Sequence, residues 1–458
     1  MRRNDLIELD REHLVHPVSS WADHEAAGAT VFESGRGLYL RDSEGVEHLD
    51  AFAGLWCVNV GYGQDSVAEA MAEQARRLPY MTGYFGHSNE PAIRLAAKLA
   101  ELTPGDLNHI YFCLSGSDAV DGAVRLATYY WRMKGEPQRR HMIAQRYGYH
   151  GASSTGSGLT ALAAFHRGFD MPLPTQHHID APYAYRHRTG RAQDIIADCV
   201  ASLRGKVAEL GADTVAAFFC EPVIGSGGVI VPPKGWLKAM EETCRELGIL
   251  FVVDEVITGF GRTGAMFACE HEDVRPDMMT MAKGLTSGYS PMGALAISDR
   301  IYASIRDLTP AGTAIGHGTT YSAHPVSAAA GVEVIRLYEE GGILANAKAV
   351  GPYFAERLAS LGDHPLVGDV RCIGLLAAIE IVADKRTREK FPAARRVGRM
   401  VAAAARENRI MIRAFDDGIV GLAPALVITR DEVDMLVSRL RNMLDLVQSR
   451  MGEHDEAE

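Results

Sequence analysis

Short apolar runs alternate with longer segments of helical spacing through the middle of the chain. Five such runs predict buried strands. The longer segments carry apolar residues every three to four positions, as amphipathic helices do. Strands separated by helices in this way form a mostly parallel sheet, so the pattern predicts an α/β fold. The predicted strands are 110–114, 141–147, 215–220, 248–253 and 277–282, and the predicted helices are 64–78, 90–101, 191–210 and 234–247.

The two ends of the chain have a different pattern. Residues 1–63 mix short strand signals with turns and include a hairpin closed near 42–45. From residue 328 onward a long helix leads to strands and to a closing helix over 431–448. We therefore expect a large domain of residues 64–327. The segments 1–63 and 328–458 are expected to be the two parts of a smaller α+β domain.

Composition and charge narrow the classes of function. The 458 residues include 47 Lys and Arg against 58 Asp and Glu, a net charge of −11, with no long basic cluster, so nucleic acid and anionic membranes are poor partners. Seven cysteines show no CxxC pair and no zinc-type spacing, which predicts a reducing compartment and no metal. Neither a signal-peptide core nor a membrane span is present, and we expect a cytoplasmic protein.

Two predicted strands end in residues that suggest chemistry. The run 248–253 leads directly into Asp254, and the run 277–282 ends on Lys283, followed by Gly284. Side chains at the carboxyl ends of parallel strands usually face a ligand. Most lysines are solvated surface charges, so Lys283 alone is weak evidence. An amine and a carboxylate together are what pyridoxal phosphate (PLP) needs, the first to form a Schiff base and the second to keep its pyridine nitrogen protonated.

Three segments together carry a resemblance to a known family. They are DEVITGFGRTG from Asp254, AKGLTSGYSPMGA around Lys283, and HGTTYSAHP from His317. In this combination the chain resembles the class III aminotransferases, and among them the omega-amine:pyruvate transaminases, from about residue 14 to about residue 441. The resemblance implies PLP as cofactor and the type I fold of PLP enzymes, the aspartate aminotransferase-like fold. It also implies a homodimer with shared active sites, or a tetramer.

The Ser115-Gly116-Ser117 turn is the predicted phosphate site. It joins the strand 110–114 to a helix expected to start near Asp118, and a helix N-terminus offers free N–H groups to an anion. Ser117 is alternatively a plain N-cap, which is compatible with phosphate binding. Here the chain reads SGSDAVDGA where the family commonly has SGSEANETA, so side-chain contacts farther out stay open.

Further cofactor contacts follow from the resemblance alone. Tyr149 stacks on the cofactor ring, and His150 is a hydrogen-bonded structural residue rather than a base. Glu221 lies near the cofactor hydroxyl, in a supporting or a chemical role. The loop with Thr319 and Thr320 crosses the dimer interface, where Thr320 is the better candidate to bind the phosphate held by the partner subunit. The set implied for the cofactor is Ser115, Gly116, Ser117, Tyr149, His150, Glu221, Asp254, Val256, Lys283, Thr319 and Thr320.

The substrate pocket is also implied by resemblance. Four of its residues have a plainer interpretation: Trp56 as a core residue, Phe85 as a structural loop aromatic, Tyr149 as a cover for the sheet edge, and Arg413 as a surface ion pair. In the family the matching arginine swings in to bind a carboxylate, which its planar fork suits. The stretch 153–190, rich in His, Pro and Gly, is expected to be a long excursion over the active-site face without a metal. The implied substrate residues are Trp56, Phe85 (or Tyr84), Tyr149, Ser226 and Arg413.

The implied activity is a ping-pong transfer of an amino group from a primary amine or omega-amino compound to pyruvate, giving an aldehyde or ketone and L-alanine. Lys283 moves the α-proton and Asp254 keeps the pyridine nitrogen protonated. Ile257, where ornithine and 4-aminobutyrate types commonly carry Gln, favours this subgroup. Alternatives are a relative that uses 2-oxoglutarate, a PLP decarboxylase or aminomutase, and a silent binding protein. A nicotinamide enzyme is disfavoured because no GxGxxG follows a first strand.

The amine donor stays open. Val18 stands where the family often has an aromatic residue and Ser226 where it often has alanine, which suggests a roomier or more polar pocket. The sequence is compatible with several amine donors: polyamines, taurine, β-alanine, arylalkylamines and larger amino polyols.

Overall fold

The structure is a computed structural model that describes residues 3–457, with side chains over 5–452. Its strands, in chain order, are β1 (Phe32–Arg36), β2 (Tyr39–Asp42), β3 (Glu47–Asp50), β4 (His109–Cys113), β5 (His141–Gln145), β6 (Gln176–Ile179), β7 (Val215–Cys220), β8 (Leu250–Asp254), β9 (Met278–Met281), β10 (Gly293–Ile297), β11 (Val367–Ile373), β12 (Leu376–Ile381), β13 (Ile410–Met411), β14 (Arg413–Ala414) and β15 (Ile419–Leu422).

The helices follow the predicted spacing closely in the middle of the chain. They are α1 (Arg3–His13), α2 (Trp21–Ala27), α3 (Ala53–Trp56), α4 (Asp65–Arg77), α5 (Glu90–Leu102), α6 (Gly116–Met133), α7 (Gly156–Leu159), α8 (Ala192–Leu210), α9 (Trp236–Leu247), α10 (Asp299–Leu308), α11 (Pro325–Glu339), α12 (Ile343–Ala359), α13 (Val397–Glu407) and α14 (Arg430–Ala457).

A seven-stranded sheet forms the centre, in the order β4-β10-β9-β8-β7-β5-β6. Strands β9, β8, β7, β5 and β6 run parallel to one another, and β10 is antiparallel to both of its neighbours. Every residue of β7, β8, β9 and β10 is buried, as expected for strands covered on both faces by helices such as α6 and α9. The predicted α/β class with a mostly parallel central sheet is confirmed.

Two strands of this sheet escaped the sequence analysis. Strand β6, with the sequence QHHI, lies at the sheet edge inside the stretch 153–190, where the sequence analysis identified no strand. Edge strands are half-covered and tolerate polar residues, so His177 and His178 hid it from an apolar pattern. Strand β10 follows the Lys283 loop. Its sequence, GALAI, consists largely of small residues, so it could not be told apart from the Gly-rich loop by its apolar pattern.

The two chain ends meet in smaller sheets. The first has the order β1-β2-β3-β13, and β13 pairs with β3 in parallel, with Ile410 opposite Leu49. The predicted hairpin is present as β2 and β3, and the Asp42 carboxylate closes its turn by accepting the N–H groups of Glu44 and Val46, each at 2.9 Å. The second sheet, β11-β12-β15-β14, belongs to the C-terminal part.

Across residues 3–457, the helices are either too short or too polar to traverse a lipid bilayer.

Candidate active site

The ends of the neighbouring parallel strands β8 and β9 bring the predicted acid and amine to one sheet edge. Asp254 is the last residue of β8 and pairs in register with Thr280 of β9. Lys283 follows β9 with a left-handed φ of +42°. A non-glycine residue held in this region is strained, and such strain often occurs at functional sites. Both side chains line one cavity of about 570 Å³.

Most of the predicted site residues line this cavity, and one lies directly behind it. The cavity-lining members of the predicted set are Trp56, Ser115, Gly116, Ser117, Tyr149, His150, Ser226, Asp254, Val256, Lys283 and Arg413. Glu221 is buried behind Tyr149.

Asp254 is hydrogen-bonded to a buried histidine. His150 Nδ1 lies 2.9 Å from Asp254 Oδ2, and the other carboxylate oxygen accepts the Val256 N–H at 3.1 Å. Burial lowers the pKa of His150, but the hydrogen bond and charge of Asp254 outweigh it and leave the His150 pKa raised. The hydrogen bond from His150 therefore holds the Asp254 carboxylate in place, which fits the structural interpretation of His150.

Lys283 lies in surroundings that disfavour its charged form. Burial lowers the pKa of Lys283, and the neighbouring Cys57 and Asp254 oppose that shift. Its Nζ lies 5.4 Å from the centre of the Trp56 ring, and within residues 5–452 it forms no ion pair. A desolvated lysine amine is the kind of group that forms a Schiff base with a carbonyl compound.

The N-terminus of α6 forms an anion cradle. The helix begins at Gly116, earlier than predicted, and Ser115 is its N-cap, accepting the Asp118 N–H at 3.2 Å; the alternative interpretation of Ser117 as the cap is wrong. The first-turn N–H groups of Gly116 and Ser117 have no acceptor within the helix. Gly151 covers the cradle so closely that a Cβ there would lie 2.6 Å from Ser117 Oγ. The donors fit a phosphate group.

Glu221 holds the wall of the site. Its Oε1 accepts the Tyr149 N–H and its Oε2 accepts the Gly225 N–H, both at 2.8 Å, so the carboxylate positions the Tyr149 ring and the turn that carries Ser226. Burial raises the Glu221 pKa to about 7. Of the two roles left open for Glu221, these bonds support the positioning one.

Three residues of the predicted set lie away from the cavity. Phe85 is 90% exposed, and neither it nor Thr319 or Thr320 contributes to the cavity walls of this chain. The two loops lie side by side, since the Tyr80 hydroxyl donates to the Thr320 carbonyl at 2.8 Å.

The cavity also contains residues that the sequence analysis missed. Phe165 packs edge-on against Tyr149 at 5.2 Å, and Leu162 lies beside it. Cys57 lines the wall next to Trp56, with its pKa raised by burial. Leu162 and Phe165 come from the segment without periodicity, where only its position after the Tyr149 turn hinted at a place near the site.

A lysine and an aspartate at adjacent strand ends, with an anion cradle at a helix N-terminus and an aromatic ring in the same cavity, define a PLP-dependent enzyme of fold type I. Comparison with known proteins identifies the family. Residues 21–444 match the model for the class-III aminotransferases, and this chain belongs to that family.

Known relatives match over nearly the whole chain. The diaminobutyrate–2-oxoglutarate transaminase of Halomonas elongata is 40% identical over 97% of this chain and 96% of its own length. The putrescine–pyruvate aminotransferase of Pseudomonas aeruginosa is 40% identical over 95% of each chain. Among solved structures, a thermostable (S)-enantioselective omega-transaminase from Thermomicrobium roseum superposes with a TM-score of 0.94 at 39% identity, covering 98% of this chain and 99% of that one.

The protein is therefore a PLP-dependent aminotransferase, as its sequence predicts. When bound, PLP supplies an electron sink for the charge left after removal of an α-proton. Lys283 is the residue that would hold its aldehyde carbon, Asp254 its pyridine nitrogen, and the Gly116 and Ser117 N–H groups its phosphate.

Proposed function

We propose that this enzyme transfers the amino group of a primary amine or omega-amino compound to pyruvate, with release of L-alanine. The observation that carries the proposal is the state of Arg413. Its guanidinium lies at the wall of the Lys283 cavity, 4.9 Å from the Phe415 ring, and pairs with no carboxylate in the described part of the chain. An unpaired arginine is a ready partner for the carboxylate of a keto acid.

The rest of the cavity suits an uncharged substituent. Val18, Leu55, Leu162 and Phe165 form apolar walls, whereas Asp254 is the cavity's one carboxylate among the described residues and is already paired with His150. A donor with an apolar substituent would fit these walls without leaving a buried charge unpaired. The name of the putrescine–pyruvate relative supports pyruvate as acceptor, and that of the diaminobutyrate relative supports 2-oxoglutarate as the alternative.

The residues divide the chemistry between them. Lys283 is placed to accept the α-proton of the donor as a base and to give the proton back as an acid. The Asp254 carboxylate, which His150 holds in place, would contact the pyridine nitrogen of bound PLP and favour its protonated form. Arg413 orients the keto acid during the second half of the cycle, and Trp56 and Tyr149 form walls of the cavity in which the reaction takes place.

We further propose a homodimer with shared sites. The adjoining loops around Phe85 and Thr320 carry large exposed side chains, with Phe85 90% and Tyr321 55% exposed. In a dimer these loops would place Phe85 in the partner's pocket and the Thr320 hydroxyl on the partner's phosphate. Sedimentation of the purified enzyme tests this, and a monomer with full activity would contradict it.

The test of the activity is release of alanine. The purified enzyme is given PLP and pyruvate with 1-phenylethylamine, β-alanine or putrescine in turn, and alanine and CO2 are measured. Alanine formed in step with loss of amine supports the proposal. CO2 without alanine favours the decarboxylase alternative, and turnover with 2-oxoglutarate alone would contradict pyruvate as acceptor.

The variant Arg413→Gln separates the two half-reactions. It should raise KM for pyruvate about tenfold or more, because a charge-assisted pair contributes about 1.5–3 kcal/mol, and leave the half-reaction with 1-phenylethylamine close to that of the parent. An equal loss in both half-reactions would assign Arg413 a structural role.

A further inference from the structure

Three side chains near the N-terminal wall of the cavity converge without belonging to the catalytic set. Asp10 lies in α1, His24 in α2, and His16 in the link between these helices. Their ligand atoms lie within 4.8 Å of one another. The side chains of Asp10 and His24 are each 13% exposed and that of His16 is 32% exposed, so the cluster is largely enclosed and open on one side.

The contacts within the cluster are unequal. His16 Nε2 is 2.9 Å from Asp10 Oδ1, an ordinary histidine–carboxylate hydrogen bond. His24 Nε2 is 3.0 Å from Asp10 Oδ2, yet the two atoms form no hydrogen bond, and both are buried without another partner among the described residues. The two atoms are close enough for an ion pair, but they are not aligned as an imidazole N–H that donates to a carboxylate normally is.

Side-chain atoms that bind one metal ion are close together in this way without forming hydrogen bonds to each other. Ligands of one ion lie roughly 3.3 Å apart around a tetrahedral centre with bonds of about 2.0–2.1 Å, and each lone pair is directed at the centre rather than at a neighbouring ligand. Two imidazoles and one carboxylate match the donor preference of first-row divalent metals, zinc in particular. The exposed side of His16 leaves room for a water as fourth ligand.

We propose that Asp10, His16 and His24 bind one divalent transition-metal ion, with Zn²⁺ the best match. The ion clamps α1 to α2 and fixes the link between them. That link contains Pro17 and Val18, which form part of the cavity wall. The metal is thus a structural element that orders the donor side of the substrate cavity and takes no part in proton transfer.

Calorimetry with ZnCl2 on the chelator-treated holoenzyme tests the proposal. The parent protein should bind one Zn²⁺ per chain at this site. Asp10→Asn and His24→Ala should each weaken that binding by at least about tenfold, because loss of a metal ligand lowers the affinity more than loss of a residue that only supports a ligand. His13→Ala is the matched control, since His13 lies in the same helix as Asp10, is 66% exposed and stands outside the cluster. It should bind Zn²⁺ as the parent does.

Hydrogen exchange supplies a second readout. Zn²⁺ should slow exchange of the amides in residues 10–28 in the parent and in His13→Ala, and leave it unchanged in His24→Ala. His16→Gln serves if His24→Ala fails to fold, and it should lose the same protection. Equal Zn²⁺ affinity in the parent, Asp10→Asn and His24→Ala would place any binding elsewhere, for instance at cysteines, and would overturn the proposal. Failure of the parent to bind Zn²⁺ would overturn it as well, without bearing on the aminotransferase reaction.

Discussion

Replacing Gly151 by alanine is expected to damage the phosphate cradle selectively. Gly151 has a φ of +111°, a conformation that disfavours any side chain, and its nearest neighbour on the cradle side is Ser117. A Cβ at Gly151 would lie 2.6 Å from Ser117 Oγ and 2.9 Å from Ser117 Cα, closer than carbon atoms approach one another. Because one of these contacts is to the backbone, a change of side-chain rotamer cannot relieve it.

The expected loss of folding stability in Gly151→Ala has two sources. Backbone strain at a positive φ costs about 1–3 kcal/mol, and overpacking of this kind adds about 1–3 kcal/mol. Relief of the overlap moves the first turn of α6, whose N–H groups face the phosphate. Loss of one charge-assisted hydrogen bond is worth about 1.5–3 kcal/mol, so PLP should dissociate with a Kd at least about tenfold higher.

Gly135→Ala is the control for strain alone. Gly135 follows the other end of α6 and has a φ of +80°, but an added Cβ there would meet no atom within 4 Å. The assay is titration of the two apoproteins with PLP, followed by absorbance, together with urea unfolding. Gly135→Ala should lose stability and retain the parental Kd for PLP. If Gly151→Ala matches Gly135→Ala in both measurements, the cradle is not where the phosphate binds.

Three further predictions concern the remaining site residues. Lys283→Ala should abolish turnover with the fold intact by circular dichroism, and borohydride should fix PLP covalently to the parent but not to this variant; normal turnover would remove Lys283 from the mechanism. Tyr149→Phe should keep the parental Kd for PLP while Tyr149→Ala weakens it by about 0.5–1.5 kcal/mol or more, because the ring face and not the hydroxyl makes the contact. Burial raises the Glu221 pKa from 4.5 to about 7, so the folded apoprotein holds a proton that the unfolded chain has released, and its stability should fall as pH rises between these values. Glu221→Gln should flatten that slope in urea unfolding, and an unchanged slope would contradict the assignment.

The sequence predicted those features that depend on local pattern. The apolar runs before Asp254 and Lys283 mark buried strands, and the carboxyl ends of parallel strands meet at one edge, so the juxtaposition of these two residues could be inferred before any coordinates. The anion cradle could be inferred in the same way from a strand, a Ser-Gly-Ser turn and a helix.

The features that were missed depend on contacts between distant parts of the chain. The pairing of His150 with Asp254 joins residues 104 positions apart, and nothing near His150 in sequence indicates it. Strand β6 is recognisable only through its pairing with β5, because its own residues are half polar. Phe85 is 90% exposed and lies away from the cavity of its own chain, so its predicted place in a pocket wall rests on the resemblance alone.

The DEVITGFGRTG segment also contains Arg262, which holds distant parts of the chain together. Arg262 is fully buried; its guanidinium donates to the Leu375 carbonyl at 3.1 Å and to Asn59 Oδ1 at 2.6 Å, and burial lowers its pKa to about 10. Asn59 in turn packs against Gly284, where an added Cβ would lie 2.6 Å from its amide nitrogen.

These contacts explain how residues from both ends of the chain come to line the cavity around Lys283. Trp56 lies three residues before Asn59, so the bonds of Arg262 to Asn59 and Leu375 fix the N-terminal and C-terminal segments against the loop that follows Asp254. The lowered Lys283 pKa depends on its burial by those same walls. The pKa shift of Lys283 therefore depends on long-range packing around a network of carbonyls and amides, and not only on the residues next to it in the chain.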